Sequence, residues 1–216
     1  MNIAQYIDHT ILKPTTLPAD IEKLCDEAIR YRFAAVCVPP HYVALASRLT
    51  AGAGVATATV IGFPFGYSCI EAKVAEIHKA IAEGATELDI VINLCALKSG
   101  DLDYLSREIT ACLQPIRLNR CMVKVIIESG VLTDDEIVAC CTLYARHKVD
   151  FVKTSTGYAE HGASVHAVQL MRSHLPPEIQ IKASGGIRTF AFAQELVAAG
   201  ATRIGASASV TIAGGS

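Results

Sequence analysis

GATELDIVIN, residues 84–93, is the stretch that decides the fold. Gly84 sits where a left-handed cap would end a helix, and Glu87 opens a short β-rich run. Along that run Leu88, Ile90 and Ile92 fall on one face and Asp89 on the other, because strand side chains alternate. The step Gly84-Ala85-Thr86 recurs as Gly200-Ala201-Thr202, again between a helical stretch and a strand. The echo is weak, but it is what repeated βα units leave behind.

Outward from residues 84–93 the same alternation covers the chain. Strands are expected at 6–10, 34–38, 55–61, 87–92, 122–128, 150–153, 179–182 and 202–205. Helices are expected at 18–31, 41–49, 68–83, 102–116, 134–147, 164–174 and 189–199. Pro18, and Thr133 before Asp134-Asp135-Glu136, mark helix starts. Strands separated by helices imply a parallel sheet. Eight strands with seven intervening helices favour a closed α/β architecture, the (β/α)8 TIM barrel. Its eighth outer helix is expected to be truncated or missing, because only residues 208–216 follow the last strand. An open doubly wound sheet is the fallback, yet no Gly-rich dinucleotide fingerprint follows the early strands. A length of 216 residues suits one barrel, so residues 1–216 are expected to form a single domain.

Composition narrows the function. With 51% hydrophobic and 19% charged residues, the chain can fill a large core and is not disordered. A formal net charge of −2, with basic residues scattered, points to no nucleic acid and no anionic membrane as partner. No apolar run reaches the ~20 residues of a membrane span. The opening MNIAQYIDHT lacks the basic start and apolar run of a secretory signal. Cys25, Cys37, Cys69, Cys95, Cys112, Cys121, Cys140 and Cys141 form no C-x-x-C pair and no zinc-spaced set with histidine. A reduced, cytoplasmic protein with cysteines packed as small hydrophobes is expected. His9, His41, His78, His147, His161, His166 and His174 lack paired spacing, so surface or capping roles and no metal site are expected.

Barrel interiors are usually filled with branched apolar side chains. Here parity puts charges inside. Val123, Val125 and Ile127 suit the helix side, which turns Lys124, Ile126 and Glu128 inward. Val152 leaves Lys153 inward, Ile179 and Ile181 leave Lys182 inward, and Ile7 leaves Asp8 and Thr10 inward. Asp8, Asp89, Lys124, Glu128, Lys153 and Lys182 are thus expected in one interior. Burying ions costs several kcal/mol each unless they are paired, and catalysis is the commonest reason for such a cluster. An ion pair between Lys124 and Glu128 is a structural rival to a chemical role. Lys153 and Lys182 each end a strand at the face where barrel active sites lie, and each runs into a Gly/Ser/Thr loop.

A lysine attacks a carbonyl only as the neutral amine. Desolvation and a neighbouring cation both disfavour the ammonium form. Two inward lysines on adjacent strands supply the second effect, and Asp89 would manage protons directly or through a water. Ser184-Gly185-Gly186-Ile187-Arg188 and Gly205-Ala206-Ser207-Ala208-Ser209 follow the last two strands. Loops there often bind phosphate, with glycines letting backbone N–H groups approach the anion. Thr156-Gly157 would add donors.

These residues match a family pattern. DFVKTSTG (150–157), IKASGGIRT (181–189), ELDIVIN (87–93), VKVIIESG (123–130), YIDHTIL (6–12), AAVCVPP (34–40), IGFPFG (61–66) and RIGASAS (203–209) resemble, in order, segments of the deoxyribose-phosphate aldolases, a family of class I aldolases. Parity says which residues point inward; only the resemblance says which lysine is covalent. It implies a Schiff base on Lys153, Lys182 depressing the pKa of Lys153, and Asp89 acting with a water as general acid/base. It implies a phosphate pocket of Thr156, Gly157, Gly185, Gly186, Gly205 and Ser207, with Asp8, Thr10 and Cys37 near the aldehyde or sugar hydroxyls. Lys124 joins the expected substrate contacts. The implied reaction is reversible cleavage of 2-deoxy-D-ribose 5-phosphate to D-glyceraldehyde 3-phosphate and acetaldehyde, with no metal or organic cofactor. The rivals are another Schiff-base barrel lyase of transaldolase-like type and a non-catalytic phosphosugar-binding barrel.

The sequence departs from its relatives at Pro39 or Pro40, where many have Asn, and at Tyr158-Ala159-Glu160-His161, which is more polar than the usual Gly-rich continuation. It ends in Ala213-Gly214-Gly215-Ser216, without the terminal tyrosine tail of several relatives, so reduced but real activity is expected. A truncated eighth helix would leave barrel surface bare, and a homo-oligomer, a dimer or larger, is expected to cover it.

Overall fold

A computed structural model describes residues 2–215. Eight strands close into a parallel barrel in sequential order: β1 (Ile7–Thr10), β2 (Ala35–Val38), β3 (Ala56–Ile61), β4 (Glu87–Val91), β5 (Met122–Ile126), β6 (Phe151–Lys153), β7 (Gln180–Ser184) and β8 (Arg203–Ala206). Around it run α1 (Pro18–Tyr31), α2 (Val43–Thr50), α3 (Ile70–Ala82), α4 (Leu94–Lys98), α5 (Leu102–Leu118), α6 (Asp134–Arg146), α7 (Val165–His174), α8 (Phe190–Ala198) and α9 (Ser209–Gly214). This is the TIM barrel that the alternation implies. Every strand lies within two residues of its expected bounds. The short α4 is an addition, and α2 starts late because a 3-10 turn at Pro40–Tyr42 precedes it.

Local chemistry explains the helix boundaries. Thr133 Oγ1 accepts from Glu136 N (3.3 Å) and Glu136 Oε2 accepts from Thr133 N (2.8 Å), a reciprocal box that starts α6. α3 and α8 end alike. Gly84 (φ 99°) and Gly200 (φ 119°) turn left-handed, so that Ala85 N reaches Ala80 O and Ala201 N reaches Leu196 O, each at 3.0 Å. The Gly-Ala-Thr echo is therefore the same helix stop built twice.

The eighth helix is truncated, as expected, to the six residues of α9. The gap beside it is not bare. α9 buries Ile212 against α8, α1, β1 and the N-terminal 3-10 turn Ile3–Tyr6, whose Ile3 and Ala4 are also buried. An exposed seam therefore gives no argument for assembly.

The large core lies between barrel and helices, where Ile7, Val36, Val38, Leu88, Val123, Val152, Ile181 and Ile204 are fully buried. Polar groups are buried in this layer too, one against expectation. His9, expected at the surface, is 4% exposed on the outer face of β1, with Nε2 2.8 Å from Glu27 Oε2 on α1. Lys73 on α3 is fully buried. Its Nζ donates to Glu108 Oε1 (2.6 Å) and to Val91 O (2.8 Å), while Glu108 Oε2 accepts from Asn93 N (3.2 Å). That pair ties the exit of β4 to α3 and α5. All eight cysteines are free thiols, six of them buried. Among the described residues no helix is long and apolar enough to cross a membrane.

Candidate active site

Adjacent parallel strands bring the interior charges into register: Asp89 lies beside Lys124, and Lys153 beside Lys182. Asp89 is the hub. Its Oδ2 accepts from Lys153 Nζ and Lys182 Nζ, each at 2.7 Å, and its Oδ1 accepts from Lys124 Nζ at 3.0 Å. Lys182 also lies 2.5 Å from Asp8 Oδ2, and Lys124 2.5 Å from Glu87 Oε2. Arg203 closes the network from β8, donating to Asp8 Oδ1 at 2.6 Å and to Glu87 Oε2 at 3.4 Å. The β2–β3 side of the interior is apolar instead, with Ala35, Cys37, Ala58 and Val60 packed beside Leu12, Ala56 and Phe63.

Counting formal charge singles out one residue. Three carboxylates, Asp8, Glu87 and Asp89, face four cations, Lys124, Lys153, Lys182 and Arg203. The buried cluster balances only if one cation is neutral. Burial, then Lys182, push Lys153 below the usual lysine range, against Asp89, which raises it. Burial would lower Lys124 and Lys182 too, yet Asp89 and Glu87 hold Lys124 above its usual value, and Asp8 and Asp89 hold Lys182 above its own. Asp8 and Glu87 likewise keep Arg203 charged. Asp89 stays ionised despite burial, because Lys124, Lys153 and Lys182 outweigh the desolvation.

Access singles out the same residue. A cavity of about 330 Å³ opens at the C-terminal ends of the strands, with Lys153 and Thr10 at its floor and the loops after β1, β6, β7 and β8 as its walls. Lys153 is the one interior cation that lines it. Gly157, Gly185, Gly186, Gly205 and Ser207 line it as expected, joined by Lys13, by Arg188 from the expected phosphate loop, and by Tyr158 from the segment that departs from the relatives. Tyr158 spans the mouth: its hydroxyl donates to Leu12 O at 2.8 Å and its ring meets Phe63 edge-on.

Several expected contacts lie elsewhere. Asp8 and Lys124 do not reach the cavity, because their charges are spent on the network beneath it. Cys37 is fully buried in the apolar half, where burial pushes its thiol up to about 11. Thr10 lines the cavity, but its hydroxyl donates to Asp8 O at 2.8 Å. Thr156 lines the cavity as expected, but gives both its N–H and its hydroxyl to Glu128. Glu128 itself is not in the ion cluster and does not pair with Lys124. β5 ends at Ile126, and Glu128 turns left-handed (φ 56°), which breaks the alternation that would have carried it inward. Gly205 has a further reason to lack a side chain, since a Cβ there would stand 3.0 Å from Lys182 Cε. Glu87 and Arg203 were missed, although Glu87 shares the parity of Asp89 and Arg203 that of Gly205. Among the described residues no group of three or more His, Cys, Asp or Glu side chains could hold a metal ion.

A closed parallel barrel with a charged cluster under the mouth formed by its βα loops defines the class: a TIM-barrel enzyme. Residues 2–214 match the family model described as DeoC/LacD family aldolase, and the chain belongs to that family. The chain is 49% identical over 212 residues to a deoxyribose-phosphate aldolase of Bacillus mycoides (strain KBAB4), and 50% identical to one of Bacillus cereus (strain AH820). In both cases 98% of this chain and 95% of the relative are covered. Among solved structures, the aldolase QR15 superposes with a TM-score of 0.94 at 37% identity, covering 99% of this chain and 95% of QR15. A deoxyribose-phosphate aldolase of Aeropyrum pernix, described as a unique tetramer, gives 0.92 at 34% identity, covering 98% and 89%.

Proposed function

We propose that this chain is a class I aldolase that reversibly cleaves 2-deoxy-D-ribose 5-phosphate to D-glyceraldehyde 3-phosphate and acetaldehyde. The observation that carries the chemistry is that Lys153 alone among the interior cations both faces the cavity and has its pKa lowered. Its neutral Nζ adds to C1 of the open-chain sugar, and loss of water gives an iminium. A base takes the proton of the C3 hydroxyl, the C2–C3 bond breaks, and its electron pair flows to the iminium nitrogen as an enamine. C3 leaves as the aldehyde of glyceraldehyde 3-phosphate. Protonation at C2 and hydrolysis then release acetaldehyde and the free amine. Asp89, held ionised, stabilises the iminium and acts with a water as the base that takes the C3 hydroxyl proton and returns it at C2. Lys182 remains the cation that keeps Lys153 basicity low. Backbone N–H groups of Gly157, Gly185 and Gly186, with Arg188 and Lys13 at the rim, suit the phosphate. The relatives' activity and the reduced thiols fit an enzyme of deoxyribose phosphate breakdown in the cytoplasm, and assembly into a homo-oligomer belongs to the same proposal.

Borohydride reduction in the presence of acetaldehyde tests the covalent step. The expected product is a two-carbon adduct on the peptide containing Lys153; an adduct elsewhere, or none, refutes it.

Lys182→Met tests the electrostatic half. The reactive form is the neutral amine, so kcat/KM rises with pH through the pKa of Lys153. Removing the neighbouring cation lets that pKa climb, and the acid limb moves to higher pH, costing about tenfold in rate per unit on that limb. A pH profile whose limb stays put or moves down contradicts this role for Lys182.

A further inference from the structure

Glu128 is a buried acid that the reaction above does not use. It is 4% exposed and sits where the chain leaves β5. Burial raises its pKa, and the bonds from Thr156 work against that shift. The backbone ladder between the β5 and β6 exits continues past both strands, with Ile127 N donating to Lys153 O (3.0 Å) and Ser129 N to Thr154 O (2.7 Å). The Glu128 side chain then extends the tie further along the β6 exit. Thr156 N lies 3.2 and 3.3 Å from its two oxygens, the Thr156 hydroxyl donates to Oε2, and Tyr158 N donates to Thr156 Oγ1 at 3.0 Å.

This clamp sorts the loop's donors. The N–H groups of Thr156 and Tyr158 are both turned into the protein. That of Gly157, between them, has no partner among the described residues, and Gly157 lines the cavity. Gly157 (φ 88°) abuts the β7 loop, a Cβ on it standing 3.8 Å from Gly185 Cα. Gly162 is packed so tightly against the same glycine that a Cβ would come within 2.2 Å of Gly185 O. The loops after β6 and β7 therefore meet backbone to backbone, and a small shift of one displaces the other.

We propose that Glu128 is a positioning residue for the anion-binding end of the cavity: its carboxylate holds Thr156 so that the Gly157 N–H, beside Gly185 and Gly186, stays free for phosphate. A negative charge so close to an anion subsite would repel the ligand if it were unengaged. Its oxygens are aimed at Thr156 and Glu128 does not itself line the cavity, which leaves the glycine N–H groups as the surface the anion meets.

The inference rests on the aldolase reading only for its substrate, so the test carries one arm that does not. Full-length wild type, E128A and E128Q are compared by titration with inorganic phosphate, by KM and kcat for 2-deoxyribose 5-phosphate and for unphosphorylated 2-deoxyribose, and by acetaldehyde trapping. Expected for E128A are about tenfold weaker phosphate binding and a similar rise in KM for the phosphosugar, the loss of a charge-assisted clamp. Constants for 2-deoxyribose and the trapping yield should stay within about twofold. E128Q, whose amide oxygen still accepts from Thr156, falls between. Unchanged phosphate affinity in E128A overturns the proposal, and so does an equal fall with both sugars and in trapping, which marks a merely structural residue. Wild type that binds phosphate but traps no acetaldehyde sinks the aldolase reading and leaves the clamp to the phosphate arm.

Discussion

Lys153→Met abolishes cleavage of 2-deoxyribose 5-phosphate, by roughly 10⁴-fold or more, and the barrel stays folded. The first half follows from chemistry, since a thioether forms no Schiff base and no other cavity-lining amine reaches the interior network. The second half follows from the charge count. Without Lys153, the carboxylates Asp8, Glu87 and Asp89 face Lys124, Lys182 and Arg203, three against three. Asp89 keeps Lys182 at 2.7 Å and Lys124 at 3.0 Å, so no ion is orphaned. A buried amine that is costly to charge is exchanged for an apolar chain of similar length, and every remaining buried ion keeps a partner of opposite charge. Steady-state kinetics and thermal melts check both halves. A melting point lower by about 10 °C, the loss of several kcal/mol in a chain of this size, shows that Lys153 is a needed counter-ion. That result contradicts the neutral-amine account.

The fold was legible because most strands carry a largely apolar face that only helices can cover, and because several helices announce their ends. Thr133 and Gly84 show this at a start and a stop. The interior cluster was legible from parity where strands run straight: Asp89, Lys124, Lys153 and Lys182 all point inward. Parity failed at Glu128, because a single left-handed residue resets the alternation and a sequence does not print φ. It also gave direction without depth. Asp8 and Lys124 point inward as expected but sit below the cavity, and depth depends on the stagger of the whole closed sheet. Glu87 and Arg203 carry the same parity signal, at the first residue of their strands. Tyr158 and Lys73 had no such signal. Tyr158 meets Leu12, 146 residues earlier, and Lys73 meets Glu108 across two helices; both contacts exist only once the barrel closes.

Asp89→Asn should fail in the opposite way to Lys153→Met. Asp89 is the one carboxylate shared by three ammonium groups, and its folded pKa lies well below its ordinary value. A depressed carboxylate pKa contributes stability that is present above the unfolded value and is lost as pH falls through the folded one. Asparagine removes that contribution at every pH. Lys124 and Lys182 then share only Glu87 and Asp8 with Arg203, leaving one buried positive charge in excess. Breaking such a group costs about 3–5 kcal/mol, or roughly 10 °C in melting point for a chain of this size. Lys153 is not the casualty, because Asp89 raises its pKa and losing it leaves the amine more often neutral. Acetaldehyde trapping in Asp89→Asn therefore persists to lower pH than in wild type. Turnover of the phosphosugar nonetheless falls by about 10²–10⁴-fold, the usual worth of general acid/base catalysis. The double variant Asp89→Asn/Lys124→Met removes the excess charge, so it should recover most of the lost stability and none of the lost turnover. If turnover returns together with the melting point, Asp89 acts only as a counter-ion, and the proton relay assigned to it has to be sought in another group.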